Sequence, residues 1–336
     1  MRSWGRWNVD CVRGAHARVP RWLGTRVHLG RNFVPLGTLI LIIAAVLGAP
    51  SIASADDIHI RIVPLDGVPD VAFLDDVIAV VGRMHAFYED SLGLQFGGDI
   101  TLTITVIDDR ATYLERARAL GAPNADRTGG FFSPATGGVV WRGADTSLAQ
   151  GVLVHEISHE LLSRAGRHVP LWLNEGLAEV VRGYHIQGNA IWLEPEPHVL
   201  AQLRNGIHGW RPTARLVLTA DAATWASLGA TAGQRPDYDH GSMLVGFLLS
   251  TPEGTDTLKA LLAVSGRGLT GNTALGVVEV VYPGGVARME SDWTAWWSKD
   301  PRPVQLPIRP GKATLAPQPA CAGVLIRHGD VDECVR

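Results

Sequence analysis

Two short stretches carry side chains that could do chemistry together. His155-Glu156-Ile157-Ser158-His159 sets two imidazoles four positions apart, and Glu175 and Glu179 repeat that spacing further along. On a helix, positions i and i+4 share a face, so His155 and His159 can offer two ring nitrogens to one metal ion. Glu156 stands about 100° round the helix from His155, within reach of a water on that metal. A catalytic zinc takes three protein ligands and keeps a fourth position open, and two histidines with a glutamate form one such set. Glu175 can be the third ligand. Glu179, on the same face, can accept the second ring N–H of a ligating histidine. The chemistry would be that of one zinc ion per chain activating water, with Glu156 as general base. The plainer readings are a buried helix with two satisfied histidines and a solvated helix face with two carboxylates. The apolar residues around the motif (Leu148, Val152, Leu153, Ile157, Leu161, Leu162) and Trp172-Leu173 ahead of Glu175 weigh against both.

Such a site needs two helices that fold back on each other. The first is expected to begin near Ala144-Asp145-Thr146, with Asp145 or Thr146 as its cap, and to end near Gly166. Pro170 opens the second and Gly183 ends it, with the reversal across 167–169. Upstream, Ile58 to Val63 alternates as a strand. Asp70 to Leu92 has helical apolar spacing, with Asp70 as a cap and Gly93 as a stop. Ile100 to Ile107 is the clearest strand, and Asp109 to Leu120 a short helix. Gly129 to Trp141 reads as two apolar arms around a Pro/Gly turn, a hairpin. Downstream the pattern turns helical over 197–205, 239–250, 255–264 and 290–299. In the last of these Trp293, Trp296 and Trp297 read as core packing. Six prolines between 300 and 320 read as an extended linker or tail. The expected fold class is α+β: a small mixed sheet in an N-terminal lobe, a mainly helical lobe after it, and the metal helix between them. No internal repeat and no nucleotide-binding glycine loop is present.

Together, His155-Glu156-x-x-His159 and Trp172-Leu173-Asn174-Glu175-Gly176-Leu177-Ala178-Glu179 resemble the gluzincin metallopeptidases, and within them the bacterial peptidase MA-like group. The match covers residues 153–180, with a weaker likeness continuing to about Trp297. The resemblance implies a zincin lobe and a zinc-dependent peptidase. His155, His159 and Glu175 would be its ligands, Glu156 its base, and Asn174 and Glu179 the partners behind the ligands, matching an Asn-Glu-x-x-x-acid pattern. The connection from His159 to Glu175 is shorter than in the best-known members, which bears on the linker rather than on the ligands.

The same resemblance implies that the strand over 137–141, with Gly138, Val139, Val140 and Trp141, lines the cleft as a sheet edge to which an extended peptide can add. The residues alone fit a plain sheet edge equally well. Peptide hydrolysis also needs a donor for the developing oxyanion, and the resemblance implies a Tyr or His from the helical half. Tyr238 is the first candidate and His240 the second, in Tyr238-Asp239-His240-Gly241-Ser242 at the start of an apolar helix. A helix-start tyrosine and a surface histidine describe them as well. Glu160 reads as a bystander. No Gly-x-Met-Glu-Asn segment occurs, which tilts the reading toward an endopeptidase.

Composition bounds the rest. The chain has 336 residues, 46% hydrophobic and 19% charged, with room for one large or two modest domains. Residues 1–35 hold seven Arg, no Lys and one acid. Leu36 to Ala49 is nearly all apolar, and Ala53-Ser54-Ala55 follows. That order describes a secretory signal. The expected division is a signal over 1–55, a metallopeptidase-like domain over 56–299 and a Pro-rich tail over 300–336. An uncleaved membrane anchor through 36–49 is the alternative, although a spanning helix needs roughly 20 apolar residues. No cysteine directly follows the apolar core, which argues against a lipoprotein.

The chain is thus expected to be exported, to the extracellular space, the periplasm or the envelope. Without its basic leader it is acidic, which argues against nucleic acid and leaves a peptide or protein as the expected partner. Cys321 and Cys334 suit a disulfide closing a C-terminal loop, or remain two free thiols. Two other functions fit the residues. One is a non-catalytic zinc protein of the envelope that binds a protein or cell-wall polymer. The other is a membrane-anchored peptidase acting on an envelope protein.

Overall fold

Ile58, Ile60 and Ile62 are buried while the residues between them are not, and this alternation builds the first strand of a half-buried sheet. The computed structural model describes residues 57–67, 69, 71–122, 125–143, 146–187, 190–194, 197–205, 213–228, 236–266, 268–299, 301–309, 311, 313–316, 324–328 and 331–335. The signal or anchor over 1–55, the Asp70 and Asp145 caps and Cys321 lie outside these residues, as does the side chain of Cys334. Among the described residues, no helix is long and apolar enough to cross a membrane.

The N-terminal part runs β1 (Ile58–Pro64), α1 (Val71–Asp90), β2 (Ile100–Ile107), α2 (Arg110–Ala119), β3 (Gly130–Ser133) and β4 (Gly137–Trp141). The two central helices are α3 (Thr146–Arg164) and α4 (Leu171–Arg182), followed by a hairpin of β5 (Tyr184–Gln187) and β6 (Ala190–Leu193). Then come α5 (Pro197–Asn205), α6 (Ala214–Thr219), α7 (Ala222–Leu228), α8 (Pro236–Leu249), α9 (Pro252–Ser265), α10 (Gly271–Val281) and α11 (Gly285–Ser298). The tail carries β7 (Val304–Pro307), β8 (Ala313–Leu315), β9 (Val324–His328) and β10 (Val331–Val335).

The protein is α+β, with a mixed sheet ahead of a mainly helical part and α3 between them. The main sheet has the order β3-β4-β2-β1-β8. β8, β1, β2 and β4 run parallel to one another, and β3 returns antiparallel along β4. Neighbouring residues of β4 point to opposite faces. Val140 therefore joins the main core beneath α1 and α3, while Val139 joins a smaller cluster with Phe131, Tyr113 and Ala117 beneath α2. Asp109 caps α2, its carboxylate accepting from the Thr112 N–H at 2.7 Å.

The tail departs most from the sequence expectation. Its first part is built into two of the three sheets rather than trailing as a linker, and β9 and β10 pair with each other in the third. β7 pairs antiparallel with β6 to complete a β5-β6-β7 sheet, and β8 extends β1 in parallel. Between them Arg309 donates to the Asp90 carboxylate at 3.0 Å and also to Glu89, both at the end of α1. The β5–β6 hairpin and the helices α6, α7 and α10 are likewise additions to the pattern expected from the sequence. In α11, Trp293 and Trp297 are buried in the core, and Trp296 sets its ring edge against Phe247.

α4 buries Trp172, Leu173, Leu177 and Val181, and each aliphatic side chain among them contributes roughly 1.5–3 kcal/mol. Its opposite number is α8. A Cβ on Gly176 would lie 2.6 Å from the Gly241 carbonyl oxygen, and one on Gly241 would lie 2.7 Å from the Trp172 carbonyl oxygen. The two helices cross backbone on backbone, which only glycine at both positions permits.

Candidate metal centre

α3 is a buried helix, and its motif falls in the buried middle. His155 and Glu156 are fully enclosed and His159 is 5% exposed. α4 starts after Pro170, which stands at the capping position with extended backbone, one residue before the first helical turn. It ends at Gly183, and its Glu175 is buried against the two histidines. The Glu175 Oε2 atom is 3.3 Å from His155 Nε2 and 3.6 Å from His159 Nε2. One ligand atom from each of the three residues lies within 4.8 Å of the others. This buried group can hold a metal ion.

The other nitrogen of each histidine faces an oxygen of α4, as an ion-pair contact at His155 and as a hydrogen bond at His159. His155 Nδ1 is 3.1 Å from Glu179 Oε1, and His159 Nδ1 is 3.1 Å from Asn174 Oδ1. A carboxylate and an amide oxygen only accept, so each Nδ1 carries the proton. His159 Nε2 is left as a lone pair facing Glu175, while His155, held protonated when no metal is bound, turns its Nε2–H to the same carboxylate. One helix, α4, thus supplies the carboxylate at the centre and both groups that orient the histidines. Arg182 extends the line, its Nη1 lying 3.1 and 3.2 Å from the two oxygens of Glu179.

Burial and neighbouring charge set the proton affinities. Burial lowers the His155 pKa, but the hydrogen bonds to Glu175 and Glu179 and the charges of Glu179 and Glu156 outweigh it and hold it up at about 10. Burial pushes His159 below the ordinary histidine value, with Glu175 opposing. Glu156 is pushed up to about 8, first by burial, against the attraction of His155. Burial also raises Glu179, yet the Arg182 charge and the His155 hydrogen bond hold it down at about 2.

Glu156 sits between α3 and the β3–β4 hairpin. A Cβ on Gly130 would lie 3.2 Å from the Glu156 Cγ, and one on Gly138 would lie 3.6 Å from its Cβ. Neither carboxylate oxygen of Glu156 has a hydrogen-bond partner among the described residues. The cleft residues expected from the sequence are corrected by the strand order. β4 lies inside the sheet between β3 and β2, so the edge is β3. Of the four, Gly138 adjoins Glu156. Val139 and Val140 are enclosed in the two cores, and Trp141 donates its indole N–H to the Asp108 carbonyl. β3 contributes Phe132, whose ring centre is 6.4 Å from that of His159. The 130–133 segment reads in sequence only as the first arm of a hairpin, and which arm takes the edge is a matter of pairing.

Tyr238 and His240 lie in the first turns of α8. The Tyr238 ring stacks near-parallel to His155, 6.4 Å between centres and 11° between planes. The close crossing at Gly176 and Gly241 brings α8 onto α4 beside the site. His240 is fully enclosed rather than on the surface, and burial takes its pKa down to about 4. Glu160 is not part of the ligand group but has a structural part: its Oε1 accepts from the Thr103 N–H of β2 and from Arg164, each at 3.1 Å. Ser158 hydrogen-bonds the buried Tyr88 hydroxyl of α1. The helix is therefore tied to the sheet and to α1 from inside its own motif. No protein-family model matches this chain, and a search of curated proteins finds no match.

Proposed function

We propose that the protein is a zinc-dependent hydrolase of peptide bonds, held by the resemblance above to the gluzincin metallopeptidases. His155, His159 and Glu175 would hold the ion. Nitrogen and oxygen ligands about 2.0–2.1 Å from a tetrahedral zinc stand roughly 3.3–3.4 Å apart. The separations of 3.3 and 3.6 Å to Glu175 fit that figure. Two imidazoles and one carboxylate suit zinc chemically, and the orphaned Nε2 and Oε2 atoms are the polar groups such an ion would satisfy. Bound zinc supplies Lewis acidity and makes a nearby water more acidic.

The observation that carries catalysis is Glu156, a fully buried carboxylate with no partner beside the three ligands. A purely structural metal site has no use for such a group, and an unpartnered buried acid is costly. Glu156 accepts a water proton as the water oxygen bonds the peptide carbonyl carbon. When the C–N bond breaks, that proton passes to the departing amine. Tyr238, stacked on His155, is the favoured oxyanion donor over the enclosed His240. The substrate is a peptide or protein, met outside the cytoplasm if residues 1–55 act as a signal.

Metal content and hydrolysis of casein or a quenched peptide, measured for the wild type beside Glu156→Gln, test this. The expected result is one zinc per chain in both and hydrolysis in the wild type alone. Zinc in both with hydrolysis in neither favours the non-catalytic binding protein, and no zinc in either refutes the metal centre.

A further inference from the structure

We infer that Arg182 is a positioning residue for the metal centre, acting through Glu179 on His155; this rests on the proposed metal site. The line of contacts is continuous. Arg182 Nη1 reaches both oxygens of Glu179 at 3.1 and 3.2 Å, Glu179 Oε1 is 3.1 Å from His155 Nδ1, and His155 Nε2 is 3.3 Å from Glu175 Oε2. Arg182 lies three residues beyond Glu179 on the last turn of α4, where a cation also meets the negative end of the helix dipole.

An i,i+3 ion pair on a helix is ordinarily a surface pair of little consequence. This one differs in two ways. Its carboxylate is shared, since Glu179 Oε1 faces both Arg182 Nη1 and His155 Nδ1. Its cation is also only partly exposed, at 30% of the side chain, and runs past α3 at Gly151, where a Cβ would lie 3.8 Å from Arg182 Cγ. A carboxylate bonded only to the histidine can rotate about its side-chain torsions and carry the imidazole with it. Anchored from behind by a cation, it holds the ring at one orientation and keeps Nε2 aimed at the ligand centre. Groups behind metal ligands tune affinity in this way.

The test is zinc affinity, by competition with a chromophoric chelator, for wild type, Arg182→Met, Arg182→Lys, Glu179→Ala and the Arg182→Met/Glu179→Ala double variant, with folding followed by circular dichroism. Glu179→Ala is expected to weaken zinc binding about 10–100-fold. Arg182→Met should weaken it up to about tenfold, and Arg182→Lys, which keeps the charge, should recover part of the loss. In the Glu179→Ala background Arg182→Met should add less than about twofold, because the arginine has no carboxylate left to act through. Wild-type affinity in Arg182→Met overturns the inference, as does an equal loss in both backgrounds. If Arg182→Met fails to fold, the lysine variant decides: affinity equal to Glu179→Ala refutes the charge-held carboxylate. A wild type that binds no zinc instead removes the metal reading itself.

Discussion

Glu156 and Glu160 stand one helical turn apart on α3, both enclosed, and their surroundings could hardly differ more. Glu160 faces β2, where its carboxylate accepts from the Thr103 N–H and Arg164. Glu156 faces the glycines of the β3–β4 hairpin and has no partner. Burial raises the pKa of both, but at Glu160 the bonds to Arg164 and Thr103 oppose it. Buried polar groups are nearly always satisfied, so an exception calls for a reason other than stability. The acid bonded through one of its oxygens binds the helix to its sheet, and the one bonded through neither is the proposed base.

This contrast can be broken experimentally. The largest effect expected is on chemistry: Glu156→Gln should lower hydrolysis about 10²–10⁴-fold while leaving zinc bound. Its melting temperature should hold or rise, since a buried unpaired acid becomes a neutral amide. Glu160→Leu should do the reverse. It strands the Thr103 N–H and costs about 1–3 kcal/mol in a denaturant titration, while the folded fraction keeps its activity per bound zinc. A stable, inactive Glu160→Leu would merge the two roles.

At the α4–α8 crossing, Gly241→Ala drives a methyl into the Trp172 carbonyl. Overpacking of this kind costs about 1–3 kcal/mol, read as a lowered melting temperature.

The metal-free protein should also lose stability as pH rises from 6.5 to 10. Over that window folded His155, held up at about 10, and folded Glu156, at about 8, keep protons that the unfolded chain has released. His240, held down at about 4, acts only below 6.5, where its loss of stability comes as pH falls. Glu156→Gln should flatten the part of the slope below pH 8, and added zinc should weaken it further by taking the place of the His155 proton. The smallest effect belongs to Arg164→Met. That side chain is 44% exposed, and its loss should cost under about 1 kcal/mol by thermal melting.

The elements were legible where local pattern is strong. β2 lies at Ile100–Ile107 and α5 at Pro197–Asn205, both as their periodicity and boundaries suggest. The elements without a local signature depend on partners distant in sequence. β5 and β6 are four residues each, and their third strand, β7, comes from a proline-bearing tail more than a hundred residues later. Short strands of this kind form because a neighbour supplies the ladder, not because their own residues favour it. α6 and α7 are six and seven residues long, too brief to leave a periodic signature.

The sequence by itself determined the chemistry available. Spacings of four on two helices put His155 with His159 and Glu175 with Glu179, and helical geometry alone turns such pairs to one face. Tertiary structure decided what each group does. Only the packing of α4 on α3 makes Glu175 meet both Nε2 atoms and gives one Nδ1 to Glu179 and the other to Asn174. Only strand order makes β3 the edge, and only the β2 amide separates the employed Glu160 from the unemployed Glu156. Spacing along a chain fixes direction within one element. Hydrogen-bond satisfaction and burial depend on what another element brings to the same place.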